Sequence, residues 1–283
     1  MNAISIKNVT KKYPGFTLGP VDLTLPSGCV MGLVGENGAG KSTTIRLILN
    51  AAACDTGEIS VLGKSAGAPG FETVKQDLGV VLNEAYFPEV LSAKNVAKIL
   101  KNTYKNWDND AFFAYLTRFS IDADKKFKDY SRGMRMKLAL ACALSHDAKL
   151  LILDEATSGL DPMAREELLE LFNEFTREED RSILLSSHIV SDLEKVCDYI
   201  AFLHQGKLLL CEEKDRLLER YALVSLPNEQ LADLPEDGVV AAEKGAYGAR
   251  ALVLRDNVRQ DLPFEHTDLE DIILFLAKGS ANR

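Results

Sequence analysis

The sequence predicts an α/β fold with a mostly parallel core sheet, and two alternating patterns support this fold class. Continuous apolar runs of strand length, at 29–34 and 150–153, alternate with helical patterns at 44–49 and 131–144. Strands of a parallel sheet are covered on both faces, so they lack the apolar–polar alternation of half-exposed strands. We expect this sheet to carry an N-terminal antiparallel β subdomain, an inserted helical subdomain and a small C-terminal α+β domain.

The N-terminal part of the chain is predicted to form antiparallel strands. Residues 3–9 and 16–25 alternate apolar and polar side chains, and a Tyr-Pro-Gly turn at 13–15 separates them. From Ser92 onward, apolar residues recur at helical spacing. Because strand-rich stretches flank this block, we interpret residues of about 88–146 as a helical insert in the main domain.

The character of the chain changes near residue 221. Acidic and small residues dominate up to Lys244, a weaker strand pattern follows at 251–254, and a helix is predicted at 268–274. We therefore predict a main domain over residues 1–221 and a small accessory domain over residues 222–283.

The composition favours a reduced, cytosolic protein. The 283 residues are 46% hydrophobic, and no stretch approaches the roughly 20 consecutive apolar residues of a membrane span. The five cysteines show no C-x-x-C spacing, which argues against a disulfide framework or a zinc site. The N-terminal residues lack the regions of a signal peptide. A net charge of −9 argues against non-specific nucleic-acid binding, so no nucleic-acid partner is expected.

A glycine-rich loop follows the first apolar run. Residues 35–43 match the phosphate-loop pattern G-x-x-x-x-G-K-[ST] between a predicted strand and a predicted helix. Glycines let backbone N–H groups approach the phosphates of a nucleotide, the lysine adds a cation, and the serine hydroxyl can hold Mg²⁺. The start of the helix also favours an anion. The predicted nucleotide-binding residues of the loop are Gly35, Asn37, Gly38, Gly40, Lys41, Ser42 and Thr43.

Two carboxylates follow the apolar run at 150–153. A phosphate-loop enzyme needs an acid at the carboxyl end of a neighbouring strand to hold the Mg²⁺ shell, and Asp154 fits that position. Glu155 is the candidate to orient and polarise an attacking water. A strand that merely ends at a charged surface would show the same pattern, but the phosphate loop favours the catalytic interpretation.

Three further segments resemble those of ATP-binding-cassette (ABC) ATPases, a family of P-loop NTPases. Residues 130–134 (Tyr-Ser-Arg-Gly-Met) resemble the family's signature, residues 158–162 its dimer-contact loop, and Ser187-His188 its switch histidine. The order and spacing of these segments agree with the family over residues 3–220.

The resemblance implies ATP as the nucleotide and a second ABC ATPase copy as a partner. In this family two cassettes pair head-to-tail, and the signature of one closes over the γ-phosphate held by the other. Ser131 and Gly133, at a helix start, are therefore expected to bind the nucleotide of the second copy, as is Asp161 in the dimer-contact loop. The sequence leaves open whether the pair is a homodimer or a heterodimer.

Two more site residues come from the same resemblance. His188 is expected to act in catalysis with Glu155, by bonding the γ-phosphate and linking that carboxylate to the closed state. Tyr13 resembles the aromatic residue that stacks on adenine, although an ordinary turn tyrosine would look the same in the sequence.

Three residues depart from the family pattern. Arg132 replaces a glycine of the signature and is expected either to contact phosphate across the dimer or to face solvent. Asn83 replaces the loop glutamine; it keeps the amide oxygen for Mg²⁺ but is one methylene shorter. Ala156 follows Glu155 where proline is usual, which should loosen the turn. Since no required group is lost, we expect a competent hydrolase that uses ATP and Mg²⁺.

The leading interpretation is the ATPase subunit of a membrane transporter, peripheral at the cytoplasmic face of the membrane. With no predicted span of its own, the chain would act with a separate permease subunit. The segment 86–90, with Tyr86 and Phe87 exposed, is expected to receive that partner together with the helical insert; the alternative is that both aromatics pack inward. The signature variant and the predicted C-terminal helix resemble bacterial exporters more than importers.

Two other classes remain as alternatives. A soluble mechanochemical ATPase acting on DNA or ribosomes would carry tandem cassettes or a long coiled-coil insertion, and this sequence shows neither. A nucleotide-gated regulator with little turnover would fit the changes at Asn83 and Arg132, but Glu155 argues against it.

Overall fold

The computed structural model describes residues 1–83 and 87–281, and we number its elements in chain order. The strands are β1 (Asn2–Tyr13), β2 (Phe16–Pro26), β3 (Val30–Val34), β4 (Thr56–Val61), β5 (Lys64–Ser65), β6 (Leu78–Val81), β7 (Leu150–Asp154), β8 (Ser182–Ser187), β9 (Tyr199–His204), β10 (Lys207–Glu213), β11 (Tyr221–Leu226), β12 (Val239–Gly245), β13 (Gly248–Leu254) and β14 (Phe264–Glu265). The α-helices are α1 (Lys41–Ile48), α2 (Ala93–Thr103), α3 (Asn109–Arg118), α4 (Arg132–Leu144), α5 (Pro162–Phe175), α6 (Val190–Val196), α7 (Lys214–Arg220) and α8 (Leu269–Ala281).

The core sheet is mostly parallel, which confirms the predicted fold class. Its strand order is β10-β9-β3-β8-β7-β6; neighbouring strands from β9 to β6 are parallel, and β10 joins the edge in antiparallel orientation. The register places Val34 of β3 opposite Ser187 of β8, and Asp154 of β7 opposite Ser186 of β8. The carboxyl ends of these three strands therefore meet at one edge of the sheet.

The central strands are apolar throughout because they are covered on both faces. In β7, Leu151 and Leu153 belong to a core that also contains residues of α4 and α5. Leu150 and Ile152 of the same strand face a second core, formed with α1 and the antiparallel sheet β2-β1-β4-β5. This antiparallel sheet is the N-terminal β subdomain that the alternating pattern predicts.

The inserted helical subdomain is also present, with α2, α3 and α4 between β6 and β7. The helices begin after Ser92, Asp108 and Ser131, which are residue types that favour helix starts. The Oδ1 atom of Asp108 accepts from the backbone N–H of Ala111 at 2.9 Å, which satisfies one of the free donors of α3.

The prediction of exposed aromatics in the segment 86–90 is wrong for Phe87. Its ring packs edge-on against Phe127, with 5.5 Å between ring centroids, and lies against the core that contains α4. Tyr86 lies outside the described residues. Two aliphatic side chains nearby are exposed instead, Leu82 at 44% and Val90 at 71%.

The C-terminal residues form an α+β unit, as predicted. Its antiparallel sheet has the order β12-β13-β11-β14, and α8 follows the last strand. Leu269, Ile272 and Phe275 of α8 are buried in the same core as α4 and α5, so the C-terminal unit shares apolar packing with the main sheet. Within the described residues, the helices are too short or too polar to cross a membrane.

Candidate active site

The phosphate loop lies between β3 and α1, at the edge where the parallel strands end. A Cβ atom at Gly35 would lie 2.4 Å from the carbonyl oxygen of Leu203, so this position has no room for a side chain. Gly40, immediately before α1, has φ +112°, a conformation that other residues rarely adopt. The loop therefore needs glycine at both positions, which places the free N–H groups of α1 at its mouth.

The other predicted residues of this loop differ in exposure. Asn37 and Gly38 are exposed, Thr43 is half-buried in the first turn of α1, and Ser42 is exposed beside it. By contrast, Lys41 is buried, with a relative exposure of 6%.

The ammonium of Lys41 lies folded back inside the phosphate loop. Its Nζ donates to the carbonyl oxygen of Gly35 at 2.6 Å and to that of Glu36 at 3.3 Å. The same Nζ lies 3.3 Å from Oε1 of Glu155, and both side chains are buried. The carboxylate of Glu155 thus neutralises the cation that is predicted to meet a phosphate.

Asp154 is held by hydroxyl groups from two directions. Oγ of Ser42 donates to its Oδ2 at 2.9 Å, and Oγ of Ser186 donates to its Oδ1 at 2.6 Å. Ser42, Asp154 and Asn83 line one cavity of about 540 Å³. A hydroxyl, a carboxylate and an amide supply oxygen donors, the ligand type that Mg²⁺ prefers, so the residues present fit this ion.

Glu155 follows the strand in a strained conformation, with φ +54° and 8% exposure. Its backbone N–H donates to the carbonyl oxygen of Ser186 at 3.1 Å and lies 3.0 Å from that residue's Oγ. Nδ1 of His188 lies 2.6 Å from Oε2 of Glu155. The carboxylate is therefore held between Lys41 and His188. A group that positions an attacking water needs such a defined orientation.

A second cavity, of about 230 Å³, is lined in part by His188. Its walls include Glu36 of the phosphate loop, Phe202 of β9, and Ile273 and Leu274 of α8. The C-terminal helix thus borders the active site directly, a placement that the sequence pattern does not indicate.

Three predicted site residues, Ser131, Gly133 and Asp161, lie apart from the phosphate loop. Ser131 caps α4, where its Oγ accepts from the N–H of Met134 at 3.2 Å, and Asp161 caps α5 by accepting from the N–H of Ala164 at 3.0 Å. In the described part of the chain, no hydrogen bond or ion pair joins Ser131, Gly133 or Asp161 to residues 35–43. Their contacts with nucleotide stay a prediction, which requires a nucleotide held by a second copy of the chain.

Tyr13, predicted to stack on adenine, lies at the end of β1. Its side chain is 40% exposed, and the ammonium of Lys11 lies 5.6 Å from the ring centroid. The ring is therefore accessible to a base, and its role stays a prediction.

Comparison with known proteins identifies the family. Residues 18–158 match the family model described as ABC transporter. The lantibiotic transport ATP-binding protein SrtF of Streptococcus pyogenes is 35% identical over 218 residues, which are 75% of this chain and 91% of that protein.

The chain belongs to the ABC transporter family.

A second relative agrees with this membership of the ABC transporter family, and a solved structure shares the fold. The Nod factor export ATP-binding protein I of Rhizobium sp. (strain N33) is 30% identical over 234 residues, covering 77% of this chain and 73% of that protein. A dimeric ATP-binding cassette, solved in a post-hydrolysis state with ADP and Pi, has the same fold, with a TM-score of 0.67, 22% identity, and coverage of 74% of this chain and 98% of that one. The protein is an ABC-type ATP-binding subunit and an ATP hydrolase.

Ser186 is a site residue that the sequence prediction missed. It is fully buried at the end of β8 and connects Asp154 with the backbone of Glu155. The sequence signal was that Ser186 follows an apolar run inside a predicted buried strand, where a hydroxyl needs a polar partner.

Replacing Ser186 by alanine is expected to lower both stability and turnover. Loss of the hydroxyl leaves one oxygen of Asp154 and the N–H of Glu155 with weaker hydrogen bonding, at a cost of about 1–3 kcal/mol in the free energy of unfolding. Urea unfolding and the ATP hydrolysis rate measure the two effects. Ser182→Ala, in the same strand at the far end from the site, is the control and should reduce stability alone. Equal loss of activity in both variants would contradict the assigned role.

Proposed function

We propose that this ABC subunit hydrolyses ATP in a head-to-tail dimer and couples dimer closure to a separate membrane permease, as part of an exporter. The observation that carries the proposal is the arrangement of Lys41, Glu155 and His188 beside Asp154. It provides a phosphate-binding cation, a fixed carboxylate and a metal-binding acid at one edge of the sheet. The Nod factor export protein, by its name, supports the direction of transport.

Mg²⁺ would be held by Ser42 and Asp154, with Asn83 able to add an amide oxygen. When bound, the ion would neutralise charge that develops on the transferred phosphoryl group. Glu155 would accept a proton from the attacking water, and its hydrogen bond with His188 would keep the carboxylate in place during closure.

The dimer completes the site because the signature residues lie away from the phosphate loop of their own chain. Ser131 and Gly133 stand at the start of α4, where the N–H groups of the helix can bind an anion. The related cassette that contains ADP and Pi is itself a dimer. Residues 1–221 would form this catalytic unit, and residues 222–283 would be the accessory domain.

This proposal predicts that hydrolysis rises more steeply than linearly with protein concentration. Two chains are needed for each complete site, so the rate per chain should increase until the dimer is saturated. Steady-state hydrolysis of ATP, measured over a hundredfold range of chain concentration, tests this expectation. A constant rate per chain, at a concentration where size-exclusion chromatography shows monomer, would contradict the shared site.

Coupling to a permease is supported by the exposed aliphatic side chains of Leu82 and Val90, next to the loop that follows β6. Co-expression with a multi-span membrane protein encoded beside this chain should carry the chain into the membrane fraction. Leu82→Ser and Val90→Ser should both reduce that association. Because Leu82 also lines the cavity of Ser42 and Asp154, only Val90→Ser should leave hydrolysis by the isolated chain intact. Association that is unchanged in both variants would place the contact elsewhere.

A further inference from the structure

Two residues that depart from the family pattern contact each other in this chain. Arg132 is the first residue of α4, and its Nη2 donates to Oδ1 of Asn83 at 3.4 Å. Asn83 lies two residues beyond β6 and lines the same cavity as Ser42 and Asp154. The hydrogen bond therefore connects the helical insert with the metal-binding side of the active site. Arg132 is exposed, as one of its two expected placements requires, and its contact with a phosphate across the dimer stays a prediction.

The guanidinium also lies close to a third segment. Gly159, in the dimer-contact loop, has φ +72°, and a Cβ atom there would lie 2.9 Å from Nη1 of Arg132 and 3.1 Å from its Cζ. Glycine at 159 thus leaves the room that the guanidinium occupies. Among the described residues, no carboxylate forms an ion pair with Arg132, so the amide oxygen of Asn83 is its side-chain acceptor.

We propose that Arg132 is a positioning residue for Asn83, and that it holds the amide oxygen away from Mg²⁺ until the helical insert moves. The inference rests on the proposed Mg²⁺ site at Ser42 and Asp154. The amide oxygen is the atom of Asn83 that can ligate Mg²⁺, and it is the atom that accepts from Arg132. The bond to Arg132 occupies one acceptor direction of this oxygen and opposes its rotation toward the ion, so hydrogen bonding to Arg132 competes with metal ligation by Asn83.

This competition links metal affinity to the position of α4. Anything that moves α4 and its first residue away from Asn83 would raise the affinity of the site for the ion, and by reciprocity the ion would favour that movement. The short side chain of asparagine matters here, because it has less reach than glutamine to serve both partners at once.

Binding of Mn²⁺, followed by electron paramagnetic resonance on the full chain with a non-hydrolysable ATP analogue, tests the proposal. Arg132→Ala should tighten Mn²⁺ binding about twofold to fivefold, the range expected when one exposed competing hydrogen bond is removed. Asn83→Ala should weaken it. In the Asn83→Ala background, Arg132→Ala should have no further effect, since the acceptor is gone.

Lys128→Ala removes an exposed cation from the same insert and should leave Mn²⁺ affinity unchanged. An equal shift from Arg132→Ala in both backgrounds would show that Arg132 acts on the metal only through its charge, and would overturn the proposal. The proposal would also be overturned if Arg132→Ala caused no shift in Mn²⁺ affinity when Asn83 is present. Ser42→Ala separates this failure from failure of the metal site itself: if Mn²⁺ affinity is also unchanged in that variant, the proposed Mg²⁺ site is wrong.

Discussion

Glu155→Gln is expected to lower ATP hydrolysis at least about 100-fold while ATP binding is retained, because a general base typically contributes that much. The amide keeps the size of the carboxylate but cannot accept a proton from water. The substitution also removes the negative charge that pairs with Lys41, which leaves the ammonium free for phosphate. ATP should therefore accumulate in a closed dimer that cannot reset.

Single-turnover hydrolysis and size-exclusion chromatography with ATP and Mg²⁺ measure the two consequences. Glu170→Gln is the matched control, since Glu170 lies exposed on α5 and the same charge is removed there. The assignment of Glu155 would be wrong if the variant stays monomeric with ATP and Mg²⁺, or if it hydrolyses ATP at the rate of the control.

Lys41→Ala is expected to lower nucleotide affinity about 100-fold, since each charge-assisted hydrogen bond to phosphate is worth about 1.5–3 kcal/mol. In addition, the change leaves the buried carboxylate of Glu155 without its cation, so the free energy of unfolding should fall in the absence of nucleotide. Titration with a fluorescent ATP analogue and urea unfolding give the two values.

Lys101→Ala, on an exposed position of α2, removes the same charge at a distance from the site and serves as the control. Unchanged affinity in Lys41→Ala would contradict the phosphate-loop assignment itself. Reduced affinity with unchanged stability would instead show that the ion pair with Glu155 contributes little to folding.

The sequence predicted the backbone placement of the site well, because that placement follows from strand ends. Residues that follow a buried parallel strand reach the carboxyl edge of the sheet, and Gly35, Asp154 and His188 do so by register alone. Their catalytic roles remain predictions, as do those of Ser131 and Asp161, whose nucleotide contacts would require a second chain.

Side-chain partners were predicted less well, for physical reasons that differ between residues. Lys41 and Arg132 have long side chains with several rotamers, so a sequence pattern does not define which acceptor each one meets. Phe87 was expected to be exposed as part of a surface for the permease subunit, but packing of its ring against Phe127 is favourable wherever the backbone allows it. Ser186 was overlooked because a buried serine shows its partner only in three dimensions.

The position of α8 changes how a shortened chain should be interpreted. Ile273 and Leu274 form part of the wall beside His188, and Leu269 and Ile272 fill the core that supports α4 and α5. Cutting the chain after residue 221 would remove α8. The cut would expose the apolar residues that α8 covers and would remove part of the wall beside His188. A change in hydrolysis after such a cut would reflect damage to the catalytic unit, and would not by itself reveal a regulatory role for the C-terminal residues.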